Sequence, residues 1–211
     1  MIAYKFLSRG AVGPFTKFAW PTPAGAKPGP WVDARGSHLG DGVHACSDRH
    51  LPYWLGDELW KIELAGDVRE HATQVEAQRA RLLARVERWN ANLASSFSIW
   101  CAFRVRDLAV EALAAKGLDG AAARFESCAT LDAVRSLSSS PEVVASPIAA
   151  ELAAYFDDAA VFNARHDAPC TAFISAVAAV CATGRQEAFD EERAVQARWL
   201  AERLGVVGLP V

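Results

Sequence analysis

No basic stripe runs through this chain. Its 22 lysines and arginines are spread among 25 aspartates and glutamates, for a net charge of -3. The electrostatic footprint that a phosphate backbone demands is therefore missing. Long apolar runs are missing too. The opening, Met1–Leu7, reads as a strand and carries no signal-like apolar region. The most apolar later stretch, Ala172–Ala182, is too short for a hydrocarbon layer about 30 Å thick. The expectation is a soluble, cytoplasmic protein that meets neither nucleic acid nor membrane. Paired cysteines are likewise absent. The five, at 46, 101, 128, 170 and 181, are odd in number and widely spaced, which excludes a disulfide framework and a C-x-x-C zinc ribbon. The last four are expected as small buried hydrophobes. No repeat recurs at a fixed period.

Proline and glycine thin out after residue 68. Six of the ten prolines and nine of the fourteen glycines precede it; alanine, leucine, arginine and glutamate dominate afterwards. The first part punctuates like strands and turns, the second like consecutive helices. The expected fold is α+β: a small β-rich lobe over residues 1–68, packed on an all-α helical bundle over 69–205, with a tail at 206–211.

Within the lobe, residues 2–7, Trp31–Ala34, Val43–Cys46 and Glu58–Leu64 read as strands. A Gly/Pro loop covers Ala24–Pro30, and Ser47 or Asp48 caps a short helix through Leu55. Glu58–Leu64 alternates, with Leu59, Lys61 and Glu63 on one side and Trp60, Ile62 and Leu64 on the other. From Val68 on, Val75, Leu82, Val86, Trp89 and Leu93 share a helical face, with arginines and glutamates on the rest, so an amphipathic helix is expected. Phe97–Ala115 reads as a more buried helix, and short helices follow from Ala121 to Leu137. Ser138–Pro141 reads as a linker. Three helices then run from Pro147, from Pro169 to Gly184, and from Gln186 to Gly205. On the last, Val195, Trp199 and Leu204 are inward candidates, while Glu191, Glu192, Arg193, Arg198, Glu202 and Arg203 read as surface pairs. His166, after a helix end, is expected as a cationic cap.

Four of the five histidines lie between Gly36 and His71. His38, His44, Cys46 and His50, with Asp48, crowd one short stretch, and imidazole with thiolate can ligate a metal. His44 and Cys46, two apart on a strand, would point the same way. A nucleophilic Cys46 would need a base within reach and a lowered pKa, and parallel projection from His44 is poor geometry for proton transfer. A packed His44 beside a buried Cys46 is the plainer alternative. Glu63 is a surface charge if its face meets solvent; if that face lines a cleft, it joins Tyr4, Lys5 and His44 in a polar pocket. Trp20, Trp31, Trp54 and Trp60 either fill a small core or stack on a planar ligand.

Three resemblances bear on these residues. Ile99–Val105, the alanine-rich helix over 168–182 and Glu191–Leu200 together resemble the alanine-rich helical immunity proteins of bacteria, which implies neutralisation of a partner toxin and brings no catalytic residues. Gly42–Cys46 is similar to a Gly-x-His-Ala-Cys motif of small bacterial and phage domains of unknown function. Gly42-Val43-His44, the following helix and Ile62–Gly66 also resemble the nicotinamide-lining strands of the ADP-ribosyltransferase half-barrel, with His44 where a tyrosine stacks. No His-Gly-Thr/Ser motif is present, Lys5 stands where an arginine is expected, and no later strand carries an evident catalytic glutamate.

The leading expectation is a non-enzymatic binding protein, immunity-like, that takes no cofactor. Its ligand or partner would sit near the junction of lobe and bundle, with Tyr4, Lys5, His44, Cys46, Trp54 and Glu63 as site residues. Its alternatives are an NAD-using transferase relying on Tyr4, Lys5, His44 and Glu63, and a metal-binding protein using His38, His44, Cys46 and His50.

Overall fold

A computed structural model of the chain describes residues 1–34 and 42–206. The fold is α+β, with the strands in the N-terminal part and the helices after them. The described residues divide into two compact units, one formed by those of Met1–Ala91 with those from Ala197 on, the other by Asn92–Gln196.

The first unit holds β1 (Ile2–Leu7), β2 (Val32–Asp33), β3 (Val43–Ala45), a 3-10 helix at Asp48–Tyr53, β4 (Glu58–Glu70) and β5 (Val75–Arg85). All pairings are antiparallel. β1 lies on β4, β4 on β5, and β5 carries β3 and β2 in succession on its other edge. Just past β3, Cys46 exchanges two 2.8 Å backbone hydrogen bonds with Tyr4 of β1. The sheet thus comes round on itself, which leaves no continuous open edge between β1 and β3 at that point. One face supplies the core: Ala3, Leu7, Trp60, Ile62, Leu64, Val75, Ala77, Ala80 and Leu82, with Trp20 laid over them. Leu59 is also fully buried, so this end of β4 is covered on both faces.

The amphipathic helix expected from Val68 is instead the end of β4, a turn and β5. Arginine, alanine, leucine and glutamine are good helix formers, and here long-range pairing overrides that preference. A β-bulge between Ala65 and Val68 also breaks the alternation that would have marked the strands. Gly66 sits in it at φ +81°, where an added Cβ would come within 2.5 Å of the Gln78 side chain. The boundary expected at 68 accordingly gives way to the division at Ala91, and the chain from Ala197 on belongs to the first unit. Of the tail expected at 206–211, all but Val206 lies outside the described residues.

The second unit is built from α1 (Ala91–Ala115), α2 (Asp119–Glu126), a 3-10 helix at Leu131–Ser139, α3 (Pro141–Val144), α4 (Pro147–Ala164), α5 (Ala168–Thr183) and the start of α6 (Ala188–Leu204). Phe97, Cys101, Val105, Ala109 and Leu113 recur at intervals of four and form the buried stripe of α1. Phe125 and Phe156 stack in the core, with centroids 6.4 Å apart. The linker expected at Ser138–Pro141 is the end of the 3-10 helix and the N-terminus of α3, where Pro141 takes a first-turn position. At the end of α4, His166 adopts a left-handed φ of 58° and its backbone N–H bonds Asn163 O, while Asp167 caps α5 by accepting from Cys170 N at 3.0 Å.

The inward face of α6 differs from expectation. Glu192, Arg193 and Gln196 are buried, whereas Val195 and Trp199 are half-buried. Arg104 donates to both Glu192 oxygens at 3.2 and 2.8 Å, and Ser175 Oγ donates to one at 3.0 Å. Arg193 donates to Gln196, which in turn donates to Ala172 O. A polar residue at a core position needs partners, and here α1 and α5 supply them. Of the neighbours Glu191, Glu192 and Arg193, Glu191 alone pairs on the surface, with Arg185.

Candidate functional site

The first unit contains a cleft of about 790 Å³, a volume suited to a small molecule. Its origin lies in the pairing of β1 with β3. The antiparallel step after Tyr4–Cys46 would set Phe6 opposite His44, yet the ladder ends at Tyr4–Cys46. Beyond it the Lys5 ammonium, rather than a backbone N–H, donates to His44 O. The cleft follows this parted seam, with Tyr4–Ser8 on one side and Gly42–Cys46 on the other. Residues Gly13–Thr16, Phe18 and Trp20 form a further wall, and Tyr53–Asp57 another.

Glu58 fixes the wall that precedes Trp20. Its buried carboxylate accepts from Gly10 N at 3.1 Å, Ala11 N at 3.0 Å and Trp60 Nε1 at 3.1 Å, with Arg85 3.3 Å away. Burial alone would raise its pKa, but these donors together hold it below the usual carboxylate value. Trp20 N then bonds Ala11 O, which delivers the indole to the cleft. Phe18 meets Trp20 edge to face at 5.7 Å. Phe15, at the rim, is 84% exposed.

Five of the six residues singled out from sequence line this cleft: Tyr4, Lys5, His44, Cys46 and Trp54. Lys5 faces Trp60 across the β1–β4 ladder and so projects to the core side. Its nitrogen lies 5.4 Å from the Trp20 ring centre. Burial draws its pKa down to about 8, against a smaller upward pull from Cys46. Burial pushes the Cys46 thiol up to about 12, although Lys5 pulls it back and Asp48 adds to the rise. Tyr4 is likewise raised, first by burial and then by Asp48 and Cys46. Trp54 Nε1 donates to Thr73 O at 2.7 Å. Gly42 opens the motif because Glu76 packs on its backbone: Gly42 N donates to Glu76 Oε1, and a Cβ would stand 2.3 Å from Glu76 Cγ.

Glu63 is not part of the lining. It accepts from Arg81 Nε at 2.7 Å across the β4–β5 pair. The pocket expected to join it to Tyr4, Lys5 and His44 is therefore not assembled among the described residues. His50 Nδ1 meets Ser47 Oγ at 3.1 Å, and burial heads the causes that hold its pKa below the usual value. His38 lies outside the described residues. Among the described residues no three His, Cys, Asp or Glu side chains converge as a metal site.

No family model, curated protein or solved structure matches this chain.

Chemically the described lining combines an apolar wall with the Lys5 ammonium and two exposed carboxylates, Asp33 and Asp57. A thiol held protonated is a poor nucleophile and a poor metal ligand. Of the four tryptophans, Trp20 and Trp60 serve the core and Trp31 lies under the Arg79 and Arg81 guanidinium groups at 4.4 and 4.6 Å. Phe15 and Phe18 are the wall residues that sequence reasoning passed over, since neither carries a reactive group or a spacing that marks a site. Among the described residues no helix is long and apolar enough to cross a membrane.

Proposed function

We propose that the protein is a binding protein whose small-molecule site is the cleft of its first unit. The observation that carries this reading is the parted β1–β3 seam: a cleft of about 790 Å³ with an aromatic wall and a half-buried lysine. Sheets ordinarily spend such interior space on side chains packed to crystal-like density. The high thiol pKa of Cys46 favours binding over cysteine chemistry.

The test is fluorescence titration with the uncharged probe N-phenylnaphthylamine, in the whole chain and in Val32→Trp, which narrows the cleft. Saturable binding with a Kd of about 1–100 µM, weakened about tenfold or more by Val32→Trp in a protein that still melts cooperatively, is the expected result. Absent binding, or binding indifferent to Val32→Trp, overturns it. A thermal stabilisation by NAD that disappears in His44→Ala would move the reading to a nucleotide-using enzyme; a ligand at a hundred times its Kd adds about 2.7 kcal/mol.

A further inference from the structure

We propose that the ligand of this cleft is a planar, largely apolar molecule bearing a single acidic group, and that the Lys5 ammonium receives that group. This rests on the reading of the cleft as a small-molecule site and goes further by naming the ligand's charge and shape.

A lysine ammonium has three N–H donors. At Lys5 one is directed to His44 O, and the ring of Trp20 lies 5.4 Å away. Among the described residues no carboxylate stands within ion-pairing distance of it. Cations withdrawn from water are ordinarily met by an anion. Two carboxylates do line the cleft, but both are engaged elsewhere and exposed. Asp33 faces Arg79 at 3.8 Å, and Asp57 accepts from Arg9 N at 3.2 Å. Lys5 is also the one lysine or arginine among the described lining residues. A ligand with several phosphates would bring more negative charge than this cleft can answer, whereas one carboxylate or sulfonate matches it.

The shape follows from the aromatics. Phe18 and Trp20 stand edge to face, an arrangement that presents ring surface. Phe15 holds its ring in water at the cleft's rim. An aromatic plane laid against this wall covers that ring and leaves an acidic substituent within reach of Lys5. The ion pair then forms where water is thinned, which is where charge-assisted hydrogen bonds are strongest.

The experiment compares two probes of similar ring structure on the whole chain: anilinonaphthalene sulfonate, which is anionic, and N-phenylnaphthylamine, which is neutral. Lys5→Met is expected to weaken the sulfonate by about tenfold or more and to leave the neutral probe within about twofold. Lys5→Arg is expected to keep most of the sulfonate affinity. If Lys5→Met binds both probes as the parent does, the ligand's charge is not read by Lys5 and the inference falls while the cleft reading stands. Equal losses for both probes in a cooperatively melting Lys5→Met would show that Lys5 shapes the wall rather than pairs with a ligand, which also overturns it. Should Lys5→Met fail to fold, Lys5→Arg together with the salt dependence of sulfonate binding decides: an affinity unmoved by salt overturns the proposal. Failure of both probes in the parent protein defeats the binding-site reading itself, a distinct outcome.

Discussion

Each compact unit holds a buried carboxylate with a full set of partners, Glu58 in the sheet unit and Glu192 in the helical one, and Lys5 of the sheet unit stands apart from both. In the helical unit Glu192 is 3% exposed and is met by two N–H groups of Arg104 and the hydroxyl of Ser175. In the sheet unit Lys5 has one backbone carbonyl and an aromatic ring. A buried ion with a full set of partners is part of the scaffold, since removing any partner leaves an uncompensated charge. An ion with a partial set stores unused binding capacity, and the structure leaves a cleft beside it. Partner count therefore distinguishes Lys5 from the two framework carboxylates more sharply than burial does.

The largest effect that could break this comparison lies at Glu192. Replacing it with alanine strands Arg104 and empties a core position, and is expected to cost about 3–5 kcal/mol in urea unfolding. A cost near zero would show that the network is not structural. Next in size is Glu58→Gln, expected to cost about 2 kcal/mol at neutral pH, because two backbone N–H groups and an indole lose a charged acceptor. The folded-state pKa of Glu58 is depressed, so its contribution is present above the ordinary carboxylate value. It fades as pH falls through the depressed folded value. The two proteins should converge in stability in acid, and a difference that persists there would count against the carboxylate's role.

Smallest, and opposite in sign, is Lys5→Met. The folded pKa of about 8 lies below the ordinary 10.5. Between those values the unfolded chain holds the proton more tightly, so the cost of the charge is full below about pH 8 and gone above 10.5. Lys5→Met should stabilise the protein by about 1 kcal/mol at neutral pH, with the gain shrinking as pH rises through that window. Cys46, with its raised pKa, works the other way in alkali by losing stability as the unfolded thiol ionises. It does so in both proteins, so their difference isolates Lys5 to first order. A loss of stability on removing Lys5 at neutral pH would mean the lysine is fully partnered after all.

Much of the scaffold could be read from residue order because its punctuation is local. Pro147 and Pro169 open α4 and α5, and Gly184 and Gly205 close α5 and α6 at positive φ. The alternation of Trp60, Ile62 and Leu64 marks β4 for the same reason. β5 escaped because its composition suits a helix, its turn at His71–Gln74 has no glycine, proline or asparagine, and the bulge at Gly66 shifts the alternation. That one misreading propagates to the site. With β5 read as a helix, the sequence offers Glu63 no cross-strand partner, and the Arg81 contact fits its surface-charge alternative rather than the pocket one. Tyr4, Lys5, His44 and Cys46 are legible as a dense set of polar and reactive types and Trp20 as a candidate stacking ring, whereas Phe15 and Phe18, from a loop with no chemical signature, are placed beside it only by the fold.

The closure of the sheet at Tyr4 and Cys46 has a mechanical corollary. Two backbone hydrogen bonds clasp the ring, each worth about 1 kcal/mol net, while β4 and β5 are laced along most of their length. Loosening the clasp is therefore far cheaper than melting the hairpin. Local opening is therefore expected to part β3 from β1 before it reaches the β4–β5 hairpin, and hydrogen exchange at Tyr4 and Cys46 N–H faster than along β4 would show it.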